Sequence, residues 1–354
     1  MKNIFLLLLV FVLLNSFQTP VEVNNTKDRN IFNSVVIDTL FQDNIKIRAI
    51  IVDANKIWYA ANNSRFGFYD LDKKEKIENT VQKDTLKLEF RSMAQNAKNV
   101  FVLNVGNPAL LYKINKSNLD IALVYKESHE KVFYDSLQFW NSKEGIAMGD
   151  PTDGTFSIII TRDGGFTWEK TPAAELPKLA IGEAAFAASN TNIIIKGDDT
   201  WLVSGGVKSR VFYSPNKGKT WTTYNTPIIQ GKAMTGIFTA DFYDAKIGFI
   251  AGGDYAVLGQ NFGNKARTTD GGKTWKLVGE NDGFGYASCV QYVPHSDGKG
   301  IVSVGALGLF YSSDGGLSWK QLAKDPALYT LRFIDSHTAI AAGKNKMVRI
   351  KFLK

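Results

Sequence analysis

The chain has 354 residues, is 44% hydrophobic and carries a formal net charge of +8 at pH 7. That content supports a large core and excludes a disordered chain, while the single cysteine, Cys289, excludes an internal disulfide. Only three histidines are present (His129, His295 and His337), too few and too dispersed for a His-rich metal site.

The N-terminus reads as a targeting segment. Lys2 precedes an unbroken apolar run from Ile4 to Leu14, followed by polar residues up to Pro20. The run suits the hydrophobic region of a secretory signal and is short for a bilayer span. Residues 1–19 are therefore expected to be a signal peptide cleaved between Ser16 and Thr19, with an uncleaved anchor as the alternative. Residues 20–32 would form a loose lead-in. The mature protein would be exported, periplasmic or extracellular, with no membrane span after cleavage. No cysteine follows the apolar run, which argues against a lipoprotein.

Beyond the lead-in, apolar strands recur. Residues 34–40 form a short strand, and residues 45–52 and 86–91 are candidates for strands buried on both faces. A second kind of landmark, an apolar strand ending in small residues, occurs seven times, at 57–62, 100–106, 145–149, 201–205, 248–252, 300–305 and 338–343. A spacing of about 40 to 50 residues is that of propeller blades. The expectation is an all-β, seven-bladed β-propeller over residues 33–354, closed by the N-terminal strand at 34–40. Closure by that strand leaves no exposed sheet edge. Residues 182–189 read as a strand crowded near the axis. Lys344, Lys346, Arg349, Lys351 and Lys354 near the C-terminus read as a solvated strand, so no nucleic-acid partner is expected.

One phrase is repeated four times: Ser/Thr-x-Asp/Asn-x-Gly-x-Ser/Thr-Trp. Its fixed residues include Asp163 and Trp168, Asn216 and Trp221, Asp270 and Trp275, and Asp314 and Trp319. An Asp beside Gly-Gly supplies a carboxylate for its own loop amides next to residues that tolerate positive φ. The Trp folds beneath and anchors the turn by burial, worth up to about 5 kcal/mol. These eight residues are expected to be structural.

The phrase is identified as the Asp box, or bacterial neuraminidase (BNR) repeat. The resemblance implies a turn between the third and fourth strands of a blade, on the rim, with any ligand site on the opposite face. Sialidases share the box, but their Arg-Ile-Pro phrase has only Arg48-Ala49-Ile50 as a counterpart, and a third arginine is missing. The chain also resembles exported bacterial propellers related to photosystem II stability/assembly factors, through the phrases at 145–151, 182–189 and 252–255. That resemblance implies a scaffold that grips other proteins. Some such relatives are labelled oxidoreductase or glycosyl hydrolase. No Gly-x-Gly-x-x-Gly before a helix, Cys-x-x-Cys or haem-attachment phrase supports a redox cofactor, so none is expected.

On the face opposite the boxes, the candidate ligand-binding residues are Arg48, Arg91, Asp150, Asp153, Glu183, Asp254 and Tyr255, with Tyr286 and Tyr329 at equivalent inner-strand positions. Arginines and carboxylates converging there suit an anionic ligand. The leading expectation is a binding or assembly-type module for a protein or glycan-like ligand. The alternative is a glycoside hydrolase or lyase acting on acidic carbohydrate, with Arg48 and Arg91 gripping substrate and Glu183, Asp150 or Asp153 transferring the proton. No catalytic residue is assigned and no metal is expected, although loop carboxylates leave room for calcium.

Overall fold

The computed structural model describes residues 31–82 and 85–354. The proposed signal peptide and residues 20–30 of the lead-in lie outside the described residues. The protein is an all-β propeller. Its sheets are antiparallel meanders such as Phe90–Gln95, Asn99–Asn104, Ala109–Asn115 and Ile121–Glu127, each strand pairing with the next. The described residues contain one helical element, the 3-10 turn Ala173–Glu175.

The hydrogen-bonded sheets number six, not the seven separate blades expected from the landmarks. The reason is the length of the strand Ser34–Asp53. Its first part pairs with the C-terminal strand Thr338–Leu353, from Ser34 opposite Leu353 to Lys46 opposite Lys344. Its second part pairs with Lys56–Ala61, from Ile47 opposite Ala61 to Asp53 opposite Lys56. One unbroken strand thus fuses the closing strands with the first meander into a six-stranded sheet. The two chain ends are tied by that ladder. Phe32, at the end of the expected loose lead-in, is buried against Tyr311 and Phe352.

The stretch 182–189 also departs from expectation. Only Glu183–Ala184 is a strand, pairing with Gly205–Gly206, and the inner strand of that unit is Ile193–Lys196. The small residues Ala187, Ala188 and Ser189 serve instead to let the chain pass through the centre of the ring.

The four repeated turns adopt one geometry. Asp163 Oδ1 accepts the amides of Phe166 (2.9 Å) and Thr167 (3.0 Å), and Oδ2 accepts the Thr167 hydroxyl at 2.7 Å. Asp270 and Asp314 repeat the pattern with Lys273 and Thr274, and with Leu317 and Ser318. Asn216 keeps the Thr220 amide and reverses the last bond, its Nδ2 donating to the Thr220 hydroxyl at 2.9 Å. Trp275 and Trp319 donate to the carbonyls of Gly272 and Gly316, whereas the indole N–H groups of Trp168 and Trp221 are buried without a partner.

The turns also fasten neighbouring meanders. Trp201 Nε1 donates to Gly271 O at 2.8 Å, and its ring stacks on Phe242 at 4.0 Å. A Cβ at Gly165 would meet Phe101 at 2.3 Å, and one at Gly316 would meet Phe249 at 2.4 Å. Gly165, Gly272 and Gly316 therefore each rest on an aromatic ring of the preceding meander, Phe101, Trp201 and Phe249.

Candidate binding funnel

Inner strands alternate their side chains, so a residue near the strand start that faces the axis is delivered to the end of the channel away from the box turns. Arg91 and Tyr329 come from the starts of two inner strands, Arg48 from the point where Ser34–Asp53 begins to pair with Lys56–Ala61, and Tyr286 immediately precedes a fourth inner strand. They converge. The Arg48 guanidinium lies over the Tyr329 ring at 4.5 Å and donates to Ala188 O at 3.0 Å. Burial works against its charge, the neighbouring Arg91 cation adds to that, and Tyr286, Tyr329 and Tyr255 act in the opposite sense. Tyr255 packs edge-on against Tyr286 at 5.0 Å. Phe238 continues the aromatic wall, 4.8 Å from Tyr286 and stacked on Phe186 at 3.8 Å.

Asp150 joins this group and brings a residue that the sequence reading missed. Asp150 accepts the Ala185 amide at 2.8 Å, and burial raises its pKa to about 6. Asp135 is fully buried, with the Ala187 backbone as a weak hydrogen-bonding neighbour of its carboxylate. Burial, then the charge of Asp150, push its pKa well above the ordinary 3.8, against the pull of Arg91 and the Ala187 backbone. A carboxyl group in that setting is held toward its neutral form. The funnel wall thus carries two arginines, Arg91 paired with Glu89 at 3.2 Å and Arg48 held by a carbonyl and a tyrosine ring, beside two acids whose pKa values are raised.

Three of the expected residues sit elsewhere. Glu183 is a buried structural anion: Arg210 Nη2 lies 2.5 Å from Oε2, the Ser204 hydroxyl donates to Oε1 at 2.6 Å, and the Ala180 amide to Oε2 at 2.9 Å. Both oxygens are consumed. Asp153 is exposed on its turn, its one hydrogen bond coming from the adjacent Thr152 hydroxyl at 3.4 Å. Asp254 turns inward, accepts the Ala256 amide at 2.8 Å and faces the exposed Lys232 ammonium at 3.5 Å. The arginines and tyrosines were legible because equivalent strand starts recur. Asp135 carries the same signal, two residues into its strand.

The floor of the funnel is the segment Ala188–Thr191. Ala188 O accepts Arg48, Asn190 Nδ2 donates to Met93 O, and Asn190 Oδ1 accepts the Leu137 amide. The Thr191 hydroxyl bonds Thr239, the Ser189 hydroxyl donates to Ser288 O, and Ser189 O accepts from Thr330 and Arg332. These partners belong to six different inner strands. Only a segment on the axis reaches all of them, so it closes the channel between the two faces.

Among the described residues no group of three or more His, Cys, Asp or Glu is placed to hold a metal ion. No helix among them is long and apolar enough to cross a membrane.

Comparison with known proteins follows the same lines. Residues 266–277, which contain the third box, match the BNR/Asp-box repeat. No curated protein sequence matches the chain. Among solved structures, YCF48 bound to D1 peptide superposes with a TM-score of 0.64 at 13% identity, covering 92% of this chain and 98% of that one. YCF48 from Cyanidioschyzon merolae gives 0.61 at 14% identity, covering 90% and 98%. The Niastella koreensis GH74 enzyme gives 0.60 at 13% identity, covering 88% of this chain and 53% of that one. At these identities the shared property is the fold, and the chain is a β-propeller carrying an Asp-box repeat.

Proposed function

We propose that the protein is an exported binding module, periplasmic or extracellular, whose funnel face grips a protein segment presenting a carboxylate. Residues 33–354 would act as one unit behind the signal at 1–19. The carrying observation is the convergence of Arg48 and Arg91 on a tyrosine-lined funnel whose acids, Asp135 and Asp150, are raised toward their neutral forms. Arg48 makes no ion pair among the described residues, and Arg91 is bound only by Glu89 at 3.2 Å, so the two guanidiniums keep donors for an incoming anion. The surrounding rim favours a protein over a sugar. Ile181, Val207, Met234, Tyr255, Val257 and Phe262 are all exposed, and Ile181 is 98% exposed. Their segments adjoin: the Val207 amide bonds Gly182 O and the Tyr255 amide bonds Met234 O. Exposed aliphatic side chains around a charged centre are the makings of a protein-docking face. The fold shared with a propeller solved in complex with a peptide is consistent with this reading.

A second reading, a hydrolase or lyase acting on acidic carbohydrate, draws on one observation. Asp150, with a pKa of about 6 and Asp135 as its neighbour, is a proton carrier near neutral pH. Asp150 is one of the three carboxylates, with Glu183 and Asp153, expected to transfer the proton in that reading.

The test is selection from a peptide library with free C-termini, followed by fluorescence anisotropy on the selected sequences. Arg91→Met and C-terminal amidation should each weaken binding by about tenfold or more. Unchanged binding in both would sink the proposal. Turnover of acidic oligosaccharides that disappears in Asp150→Asn would put the second reading first.

A further inference from the structure

The axial segment leaves a separate chamber on the Asp-box side, a cavity of about 820 Å³. Its volume is in the range of small-molecule sites. A smaller adjoining hollow of about 400 Å³ shares Gln138, Asn190, Lys196, Asp241, Gln291 and Arg332 with it. The lining comes from the far ends of the inner strands. Four of these end in a polar residue followed by an aromatic one: Gln138-Phe139, Asp241-Phe242, Gln291-Tyr292 and Arg332-Phe333. Strand alternation sends the two to opposite sides. The rings pack between sheets, as Phe139 does on Phe101 and Phe242 on Trp201, while the polar groups reach the axis.

The charges in this chamber are unequally committed. Asp241 spends its oxygens on the amides of Tyr292 (2.7 Å) and Phe242 (2.9 Å). Arg332 is fixed by carbonyls, with Nη1 on Leu331 O at 2.7 Å and Nη2 on Ser189 O at 3.2 Å. Lys196 has no hydrogen bond or ion pair among the described residues and feels Asp241 only through its field. The side-chain amide of Gln138 likewise has no hydrogen-bond partner there, and Gln291 uses only Nε2, on Val290 O at 3.0 Å. A cation and two amides are therefore directed at a roomy polar cavity with their capacity unused.

We propose that this chamber is a second binding site, for a small organic acid of dipeptide to disaccharide size. The carboxylate pairs with Lys196, and the Gln138 and Gln291 amides take the hydroxyl or amide groups of the same molecule. The site is independent of the funnel, because the axial segment stands between them.

Saturation-transfer NMR and calorimetry with sodium glucuronate and N-acetylglycylglycine, against glucose and the dipeptide amide, test this. At least one acid should bind, with its neutral counterpart about tenfold weaker or absent. Lys196→Met should remove most of that binding, Lys196→Arg should retain it within a few-fold, and Arg91→Met in the funnel should leave it unchanged. Gln138→Leu supplies a second lesion if Lys196→Met unfolds, and it too should weaken the acid. Failure of both acids to bind, equal binding of the neutral compounds, or full binding by the folded Lys196→Met or Gln138→Leu variant would overturn the assignment.

Discussion

Asn190 donates to the carbonyl of Met93 at 2.7 Å while its side-chain oxygen accepts the Leu137 amide at 2.9 Å. One buried amide thus stitches two inner strands to the axial segment, at a backbone φ of 59° that asparagine tolerates better than most residues. Asn190→Ala leaves Met93 O and Leu137 N without those partners. A loss of about 2–4 kcal/mol is expected from unsatisfied polar groups and the left-handed backbone. Urea unfolding measures it, and a loss under about 1 kcal/mol would mean that water replaces the amide.

The box glycines make a sharper case. Gly316 has φ +92°, and a Cβ there would meet the Phe249 ring at 2.4 Å. Gly316→Ala combines backbone strain with overpacking, for an expected cost of about 2–4 kcal/mol. Gly154 has φ +76° and open space around it, so Gly154→Ala carries only the strain, about 1–2 kcal/mol. Thermal midpoints of the two variants should therefore separate. Equal midpoints would show that Phe249 yields to the methyl group without cost.

Glu183 tests whether a buried ion pair holds the blade edge. Its carboxylate is inaccessible and its partner Arg210 is only 17% exposed. Glu183→Gln strands the guanidinium, and a loss of about 2–4 kcal/mol is expected, reduced from the fully buried case by Arg210's residual contact with water. Replacing both with Gln and Met should recover part of that loss. A double variant no better than the single one would assign the cost to Ser204 and Ala180 instead.

What could be read from the chain follows the range of the interactions. The box turns were legible because Asp163 bonds residues three and four positions away, and the same local order recurs at 216, 270 and 314. Arg48 and Arg91 were legible as a pair because strand starts repeat. Glu183 looked identical in sequence, yet its fate is decided by Arg210, which lies 27 residues away. The sheet count was lost for a related reason: the closing strand at 34–40 and the inner strand at 45–52 run on as one strand through the polar residues 42–44, and that continuity rests on pairing with the distant C-terminal strand. The axial role of Ala188–Thr191 depends on contacts up to 143 residues distant, beyond any local pattern. The repeated polar–aromatic strand ends, by contrast, were visible and were passed over.

The buried acid Asp135 and the box acid Asp163 should respond to pH with opposite signs. At Asp163 burial disfavours the charge, but the Thr167 amide and hydroxyl outweigh it and hold the pKa at about 2. Glu144 is drawn to about 2 chiefly by Lys217. For these groups the folded pKa lies below the unfolded one. Their stabilisation is complete above the unfolded pKa and is lost as pH falls toward about 2. Asp135 has its folded pKa raised, so its favourable contribution is complete below 3.8 and is lost as pH rises toward the folded pKa, because the unfolded chain ionises more readily than the folded one. Asp135→Asn removes that liability. Its stability relative to wild type should therefore climb between pH 4 and pH 7.5, whereas Asp163→Asn should lose ground between about pH 2 and pH 4 and then run nearly parallel to wild type. Urea midpoints across the two windows decide it. If the Asp135→Asn and wild-type curves stay parallel, the acid is ionised in the folded ring and the funnel is less cationic than its geometry implies.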